Sequence, residues 1–177
     1  MKKVMLLTIF AALMMISSAA VAQTATGTLS VTATVNGTIN LVFNSNAAGV
    51  ALSSGAGTNA ATLAFGNVSA FGPLAAGVVR PAPTATTFTV SSAVDVLVSK
   101  TNSASANYTL KAQLGAADAV NNWAVGGVAV TNAAQSTLTA TGAYAANSNF
   151  PVAITVPFTT ASGTLISNTI NYTATAN

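Results

Sequence analysis

The residues that could carry catalysis are few in this chain. Its 177 residues include no His, Cys or Glu, and the only carboxylates are Asp95 and Asp118. These lie on separate predicted elements, whereas general acid–base chemistry needs such groups positioned together. A serine nucleophile has no histidine base, which leaves only a Ser–Lys arrangement with Lys100 or Lys111. We therefore expect a protein that is not an enzyme, with no catalytic residue and no cofactor.

Metal ligands are equally scarce. Zinc sites draw on Cys and His, and calcium loops need several nearby oxygen ligands that usually include Asp or Glu. Asp118 stands beside Asn121 and Asn122, a set that could supply at most a weak calcium contact. A solvated turn is the simpler interpretation, and no metal site is predicted.

The first 22 residues have the pattern of a secretory signal peptide. Two lysines precede an apolar stretch from Val4 to Ile16, and Ala20-Val21-Ala22 forms a small-x-small cleavage site. The stretch is short for a bilayer span. We expect residues 1–22 to be removed on export through the inner membrane, with no membrane span in the mature chain.

Removal of the signal also changes the charge. The mature chain keeps Arg80, Lys100 and Lys111 against two aspartates, a net charge of +1. Nucleic-acid binding needs clustered basic residues, so no nucleic-acid partner is expected. The remaining 155 residues (177 less 22) suffice for one domain with a hydrophobic core.

The organising segment runs from Thr28 to Phe43. Apolar residues at odd positions alternate with Thr and Ser, which predicts an extended strand with one apolar face: Leu29, Val31, Ala33 and Val35. The same parity resumes at Ile39, Leu41 and Phe43. A two-residue hairpin at Asn36-Gly37 would turn the two apolar sets to opposite faces, and a three-residue loop would strain Thr38. We therefore predict a free amphipathic strand within residues 23–36, followed by a domain over residues 37–177 that begins with a built-in strand.

The rest of the mature chain predicts an all-β domain of roughly eight short strands, at the spacing typical of β-sandwiches. Asn107 to Leu114 is expected to pair antiparallel with the long run before it, through a turn at Ser103 to Ala106. The predicted strands after the first are Thr62–Gly66, Thr84–Lys100, Asn107–Leu114, Trp123–Val125, Val128–Val130, Thr137–Thr141, Pro151–Phe158 and Thr164–Ala176.

Four stretches carry a resemblance to the spore coat protein U family, the archaic chaperone–usher pilins. Leu63-Ala-Phe-Gly66 is similar to the family's L-x-F-G. The segment Gly163–Thr173 is similar to its terminal strand, G-x-Y-x-D-x-V-x-V-x-V. The other two stretches resemble the N-terminal donor segment and the strand pair that follows: Ala25–Val35, and Thr87–Val90 with Asn107–Leu110. Cysteines that the family often has are replaced in Thr38–Asn40 and Val90–Ser92.

The resemblance implies an immunoglobulin-like β-sandwich that is incomplete because it lacks its last strand. The open groove would accept the N-terminal donor strand of a neighbouring subunit, a form of β-augmentation. A periplasmic chaperone would cover the groove before an outer-membrane usher extrudes a fibre for adhesion or biofilm formation. The expected donor residues are Leu29, Val31, Ala33 and Val35, and the expected acceptor groove is lined by Ile39, Leu41, Phe43, Ile166, Ile170 and Tyr172.

An alternative function stays open at this point. The chain could be a free-standing secreted β-sandwich that acts as an adhesin or glycan-binding module, in which residues 24–35 pair within their own domain. The six acceptor residues would then be ordinary sandwich core. The sequence also leaves open whether the subunit would form the shaft or the tip of a fibre.

Overall fold

The computed structural model describes residues 26–177, and the predicted signal peptide lies outside this range. The chain divides into two units, with the boundary between Thr34 and Val35. In the first unit, residues 26–34 contain no strand or helix. The second unit begins its first strand at Thr38. That first strand pairs with a segment far along the chain, Val94–Thr101.

The second unit is built from ten β-strands and, within the described residues, contains no helix, and thus none that could span a membrane. The all-β prediction is confirmed. The strands are β1 (Thr38–Ser45), β2 (Thr87–Ser92), β3 (Val94–Thr101), β4 (Tyr108–Leu114), β5 (Asn122–Val125), β6 (Val128–Val130), β7 (Ser136–Gly142), β8 (Asn147–Asn149), β9 (Val152–Pro157) and β10 (Ile170–Ala176).

The strands form three antiparallel sheets, with orders β1-β3-β8, β10-β4-β7 and β2-β9-β5-β6. Strand β4 joins them into a β-sandwich, because its buried side chains contact both other sheets. Tyr108 and Leu110 pack against Val96 and Val98 of β3. Leu114 packs in a cluster with residues of β2, β5 and β9. Strands β1 and β10 are therefore edges of two different sheets, since each has a single strand neighbour.

The core is formed by every second side chain of the strands, because successive side chains of a strand point to opposite faces. In β4, and in β3 as far as Val98, every second residue is buried and the intervening ones are not. Strand β9 repeats the pattern with Val152, Ile154 and Val156. Ser92 is the one buried polar residue of this core within the described chain, and its Oγ accepts the main-chain N–H of Val50 at 2.8 Å. The long loop before β2 is thereby tied to the sandwich.

The predicted pairing of the two long central runs is wrong. The run from Thr84 to Lys100 divides into β2 and β3, and β3 pairs with β1 and β8. Strand β4 instead pairs with β10 and β7. The connection over residues 102–107 therefore crosses between sheets. Apolar alternation does not distinguish these arrangements, because facing strands in two layers and neighbouring strands in one sheet both need an inward apolar face.

Two predicted strands are also shorter than expected. In the segment Thr62–Gly66 only Thr62 makes a β-bridge, to Ser54. Strand β10 starts at Ile170, so residues 164–169 are irregular. Strand β8 was not predicted, because Asn147-Ser-Asn149 has no apolar alternation. Strands β5, β6, β7 and β9 lie where the sequence predicts them.

Gly142 leads to a first testable prediction. It faces Tyr108 across β4 and β7, and a Cβ on Gly142 would lie 2.3 Å from the ring carbon Cζ. Tyr108 is fully buried and cannot move aside. We expect Gly142→Ala to lower the free energy of unfolding by about 1–3 kcal/mol through overpacking. Chemical denaturation of the purified protein would measure this loss.

Gly27→Ala is the matched control, because a Cβ there meets nothing within 4 Å. Equal stability of the two variants would show that the Tyr108 ring does not require a glycine beneath it.

Candidate functional site

The main concave feature of the second unit is a groove of about 1660 Å³. Strands β1 and β10 contribute residues to its lining, and its floor is apolar core from β2, β5 and β9. Phe43 and Tyr172 meet across it edge to face, with ring centroids 5.0 Å apart. All six residues that the sequence analysis names as an acceptor groove line this one cavity: Ile39, Leu41, Phe43, Ile166, Ile170 and Tyr172.

The outer edge of β1 presents main-chain groups without partners. Phe43 N–H donates to the Thr58 carbonyl at 2.9 Å, and Gly57 N–H donates to the Phe43 carbonyl at 2.7 Å, so the Phe43 groups point away from β3. Main-chain direction alternates along a strand, and Ile39 and Leu41 therefore point the same way. Among the described residues, no hydrogen bond is made by the N–H or C=O of Ile39 and Leu41.

Strand β10 has a matching free edge. The Thr169 carbonyl accepts from Gly115 N–H at 2.7 Å, and Asn177 N–H donates to the Asn107 carbonyl at 3.0 Å. Odd-numbered residues therefore bond towards β4. The even-numbered residues point outward, and in the described chain their main-chain groups have no partner: Ile170, Tyr172, Ala174 and Ala176. The first three of these are also half-buried by side chain.

The loop between β1 and β2 forms another wall, which sequence reasoning missed. Leu63 and Phe65 line the groove and pack on the buried core. Their spacing predicts a strand, but the segment is irregular, and the β-bridges Phe43–Thr58 and Ser54–Thr62 hold the loop that precedes it. The loop also closes part of the β1 edge, since Gly57 and Thr58 occupy the main-chain groups of Phe43. Trp123 of β5 lies in the floor and was likewise not predicted.

The groove is electrically neutral, because none of the described residues that line it is charged. Burial raises the pKa of the Tyr172 hydroxyl well above its ordinary value. The hydroxyl is therefore neutral at any physiological pH, and no hydrogen bond to it is found in the described chain. The arrangement suits an apolar, uncharged occupant that brings its own main-chain hydrogen-bonding groups.

The expected donor residues belong to the segment just before β1. Leu29 is 88% exposed and Val31 80% exposed, although both are large and apolar. Ala33 is exposed as well, and Val35 is 73% exposed. The intervening Thr and Ser residues are also exposed. Both faces of the segment are thus exposed, and exposure of large apolar side chains to water is costly.

Asp95 and Lys100, two of the groups considered for catalysis, are each engaged in other contacts. Asp95 accepts a hydrogen bond from the Asn46 amide at 2.7 Å, far along the chain from Asp118. Lys100 donates to the main-chain carbonyl of Ser105 and lies 5.0 Å over the Tyr144 ring, a cation–π contact. No cluster of three or more metal-ligating acidic, His or Cys side chains occurs in the part of the chain that the structure describes.

Asp118 organises the turn before β5. Its carboxylate accepts the main-chain N–H groups of Val120 and Asn121, at 3.0 and 2.8 Å, and the indole N–H of Trp123 at 2.8 Å. Partial burial acts to raise the pKa of this carboxyl, but the hydrogen bonds from Asn121, Trp123 and Val120 outweigh it and lower the pKa from 3.8 to about 2. Asp118 thus acts as a structural acceptor in a turn.

No family model matches this chain, and no curated protein or solved structure matches it either. The groove, its free edges and the exposed segment are therefore the basis on which function is inferred.

A pH prediction follows from Asp118. Because its pKa is lower in the folded protein than in the unfolded chain, the carboxylate stabilises the fold above the ordinary pKa of 3.8, and this contribution is lost as the pH falls towards about 2. We expect Asp118→Asn to lower the unfolding temperature at neutral pH. The difference from wild type should shrink over this acid range, as measured by thermal unfolding at several pH values. A difference that stays constant down to the lowest pH would contradict the assignment.

Proposed function

We propose that this protein is a structural subunit of a bacterial surface fibre, assembled by donor-strand complementation through a periplasmic chaperone and an outer-membrane usher. The fibre serves adhesion or biofilm formation. One observation carries the proposal: two free strand edges flank an apolar, uncharged groove. The same chain carries an exposed segment of alternating apolar residues.

The register of the free edges supports an added strand between β1 and β10. On both edges, outward main-chain groups belong to residues that line the groove, such as Leu41 and Tyr172. A strand that pairs with these edges would have its alternate side chains directed inward beside theirs. Residues 29–35 supply four such side chains at the required spacing, and they carry no charge. The donor thus fits the groove in periodicity and polarity.

Energetics indicate a long-lived junction. Burial of Leu29, Val31 and Val35 would contribute on the order of 1–3 kcal/mol each. Each main-chain hydrogen bond to the free edges would add roughly 0.5–1.5 kcal/mol. Association costs reduce the sum, and the remainder is expressed mainly in slow dissociation. A head-to-tail contact of this kind does not close on itself, and therefore generates a filament.

The same geometry explains why a chaperone would be needed. A groove with unpaired main-chain groups and apolar walls invites edge-to-edge aggregation before assembly. A periplasmic protein that offers a temporary strand would protect it, and an usher would replace that strand with the donor segment of the next subunit. In this proposal the fold is an immunoglobulin-like sandwich completed in trans, and the resemblance to spore coat protein U pilins supports it.

Electrophoresis of protein taken from the cell surface tests the proposal. We expect a ladder of multimers on denaturing gels that collapses to monomer only after boiling. Deletion of residues 24–35 should abolish the ladder while the monomer still folds. A monomer under every condition, together with unfolding of the deletion variant, would mean that the segment completes its own domain. The free-standing adhesin or glycan-binding module would then be the better description.

A point substitution sharpens this test. Val31→Asp places a carboxylate on the apolar face of the donor segment, and burial of that unpaired charge costs several kcal/mol. We expect multimers to decrease by at least about tenfold, which corresponds to about 1.4 kcal/mol. Thr32→Asp adds the same charge on the polar face of the segment and should leave the ladder intact. Equal loss in both variants would contradict a face-specific insertion.

A peptide of residues 24–36 tests the groove without a fibre. Added to the deletion variant, it should raise the unfolding temperature in a concentration-dependent way, because it binds only the folded state. The same peptide with Val31→Asp should have no such effect.

A further inference from the structure

The junction between the exposed segment and β1 contains the only Asn-Gly sequence in the chain, Asn36-Gly37. In such a pair the main-chain nitrogen of the glycine can attack the side-chain amide of the asparagine. Reaction at Asn-Gly is fast because glycine has no Cβ to hinder the approach. The reaction needs an accessible amide and a main chain that can bend locally.

Both conditions are met at Asn36. Asn36 and Gly37 are exposed and precede the first residue of β1, Thr38. Among the described residues, neither the Asn36 amide nor the Gly37 N–H takes part in a hydrogen bond. No ladder pairing includes either residue, because the register of β1 with β3 ends at the pair Thr38 and Thr101. The reacting atoms are therefore not held apart by secondary structure.

Packing explains why glycine occupies position 37. A Cβ on Gly37 would lie 2.6 Å from the main-chain oxygen of Asn102, closer than real Cβ contacts allow. A larger residue would force the main chain at the start of β1 to shift. The fold thus requires the residue that makes Asn36 reactive.

We infer that Asn36-Gly37 is a spontaneous deamidation site in the folded protein. The Gly37 nitrogen loses its proton to solvent and forms a bond to Asn36 Cγ, while the Cγ–Nδ2 bond breaks and ammonia leaves. Water then opens the cyclic imide. Cleavage of the new bond at Cγ gives aspartate, and cleavage at the Asn36 main-chain carbonyl gives isoaspartate. No oxidant or enzyme is required.

The product changes the junction in two ways. It adds a third carboxylate to a chain that has only two, and brings the charge of the mature chain from +1 to neutral. Isoaspartate also lengthens the main chain by one methylene between Val35 and β1. These changes fall outside the strands of the sandwich, so the domain stays folded while its connection to the segment is altered. The inference does not depend on the proposed fibre.

Three Asn-Ser pairs serve as internal references. Asn44 lies within β1, and its side-chain amide donates to the Asn147 side-chain oxygen at 3.1 Å. Asn147 lies within β8. Asn102 is exposed and follows β3 directly. In each pair the serine Cβ hinders attack, and in the first two the strand also restrains the main chain.

Peptide mapping of the purified folded protein tests the assignment. The protein is incubated at mildly alkaline pH, then denatured and digested with chymotrypsin. Cleavage after Leu29 and Leu41 releases residues 30–41, which contain Asn36. Mass spectrometry follows the mass gain of deamidation, and labelling by an isoaspartyl methyltransferase identifies isoaspartate. Asn36→Gln is the control, because glutamine must form a less favourable six-membered ring.

We expect Asn36 to convert in a first-order reaction whose rate rises in proportion to hydroxide concentration. Asn44, Asn102 and Asn147 should lag by roughly tenfold or more, the factor given by about 1.4 kcal/mol of additional barrier. Asn36→Gln should remove the signal from peptide 30–41. Conversion of Asn36 no faster than Asn102 would overturn the inference. So would a folded protein in which Asn36 stays intact while the denatured chain reacts.

Discussion

The structure depends on two strand edges that have no neighbouring strand within the described residues. Main-chain N–H and C=O groups need partners, and beside an apolar surface water satisfies them poorly. Along β1 and β10 these groups point outward from residues whose side chains face the groove. No described strand pairs with either edge, and an apolar, uncharged groove is lined by residues of both strands.

The alternation of apolar and polar residues in the sequence predicts which side chains of these strands face the core. The inward residues of β3, β4 and β9 are the ones that alternation identifies, and they are buried. Parity does not specify which strand lies next to which, and this is why β3 and β4 were expected to pair although they face each other from different sheets. The direction of a side chain is a local property, whereas strand order depends on the whole topology.

The sequence likewise predicts some residues of the candidate site and misses others. Residues on β1 and β10 were found because they alternate within regular strands. Leu63 and Phe65 were assigned to a strand, but they reach the groove through an irregular loop positioned by distant hydrogen bonds. No sequence pattern identifies Gly142, because the need for a glycine at this position comes from the Tyr108 ring on the neighbouring strand. Long-range contacts of this kind leave no local pattern in sequence.

The hydrogen bonds of Gly57 and Thr58 to Phe43 have a further consequence. They occupy the main-chain groups of Phe43 on the β1 edge, whereas those of Ile39 and Leu41 have no partner among the described residues. The loop therefore shortens the stretch of the β1 edge at which further β-pairing is possible, and in this way it limits edge-to-edge association.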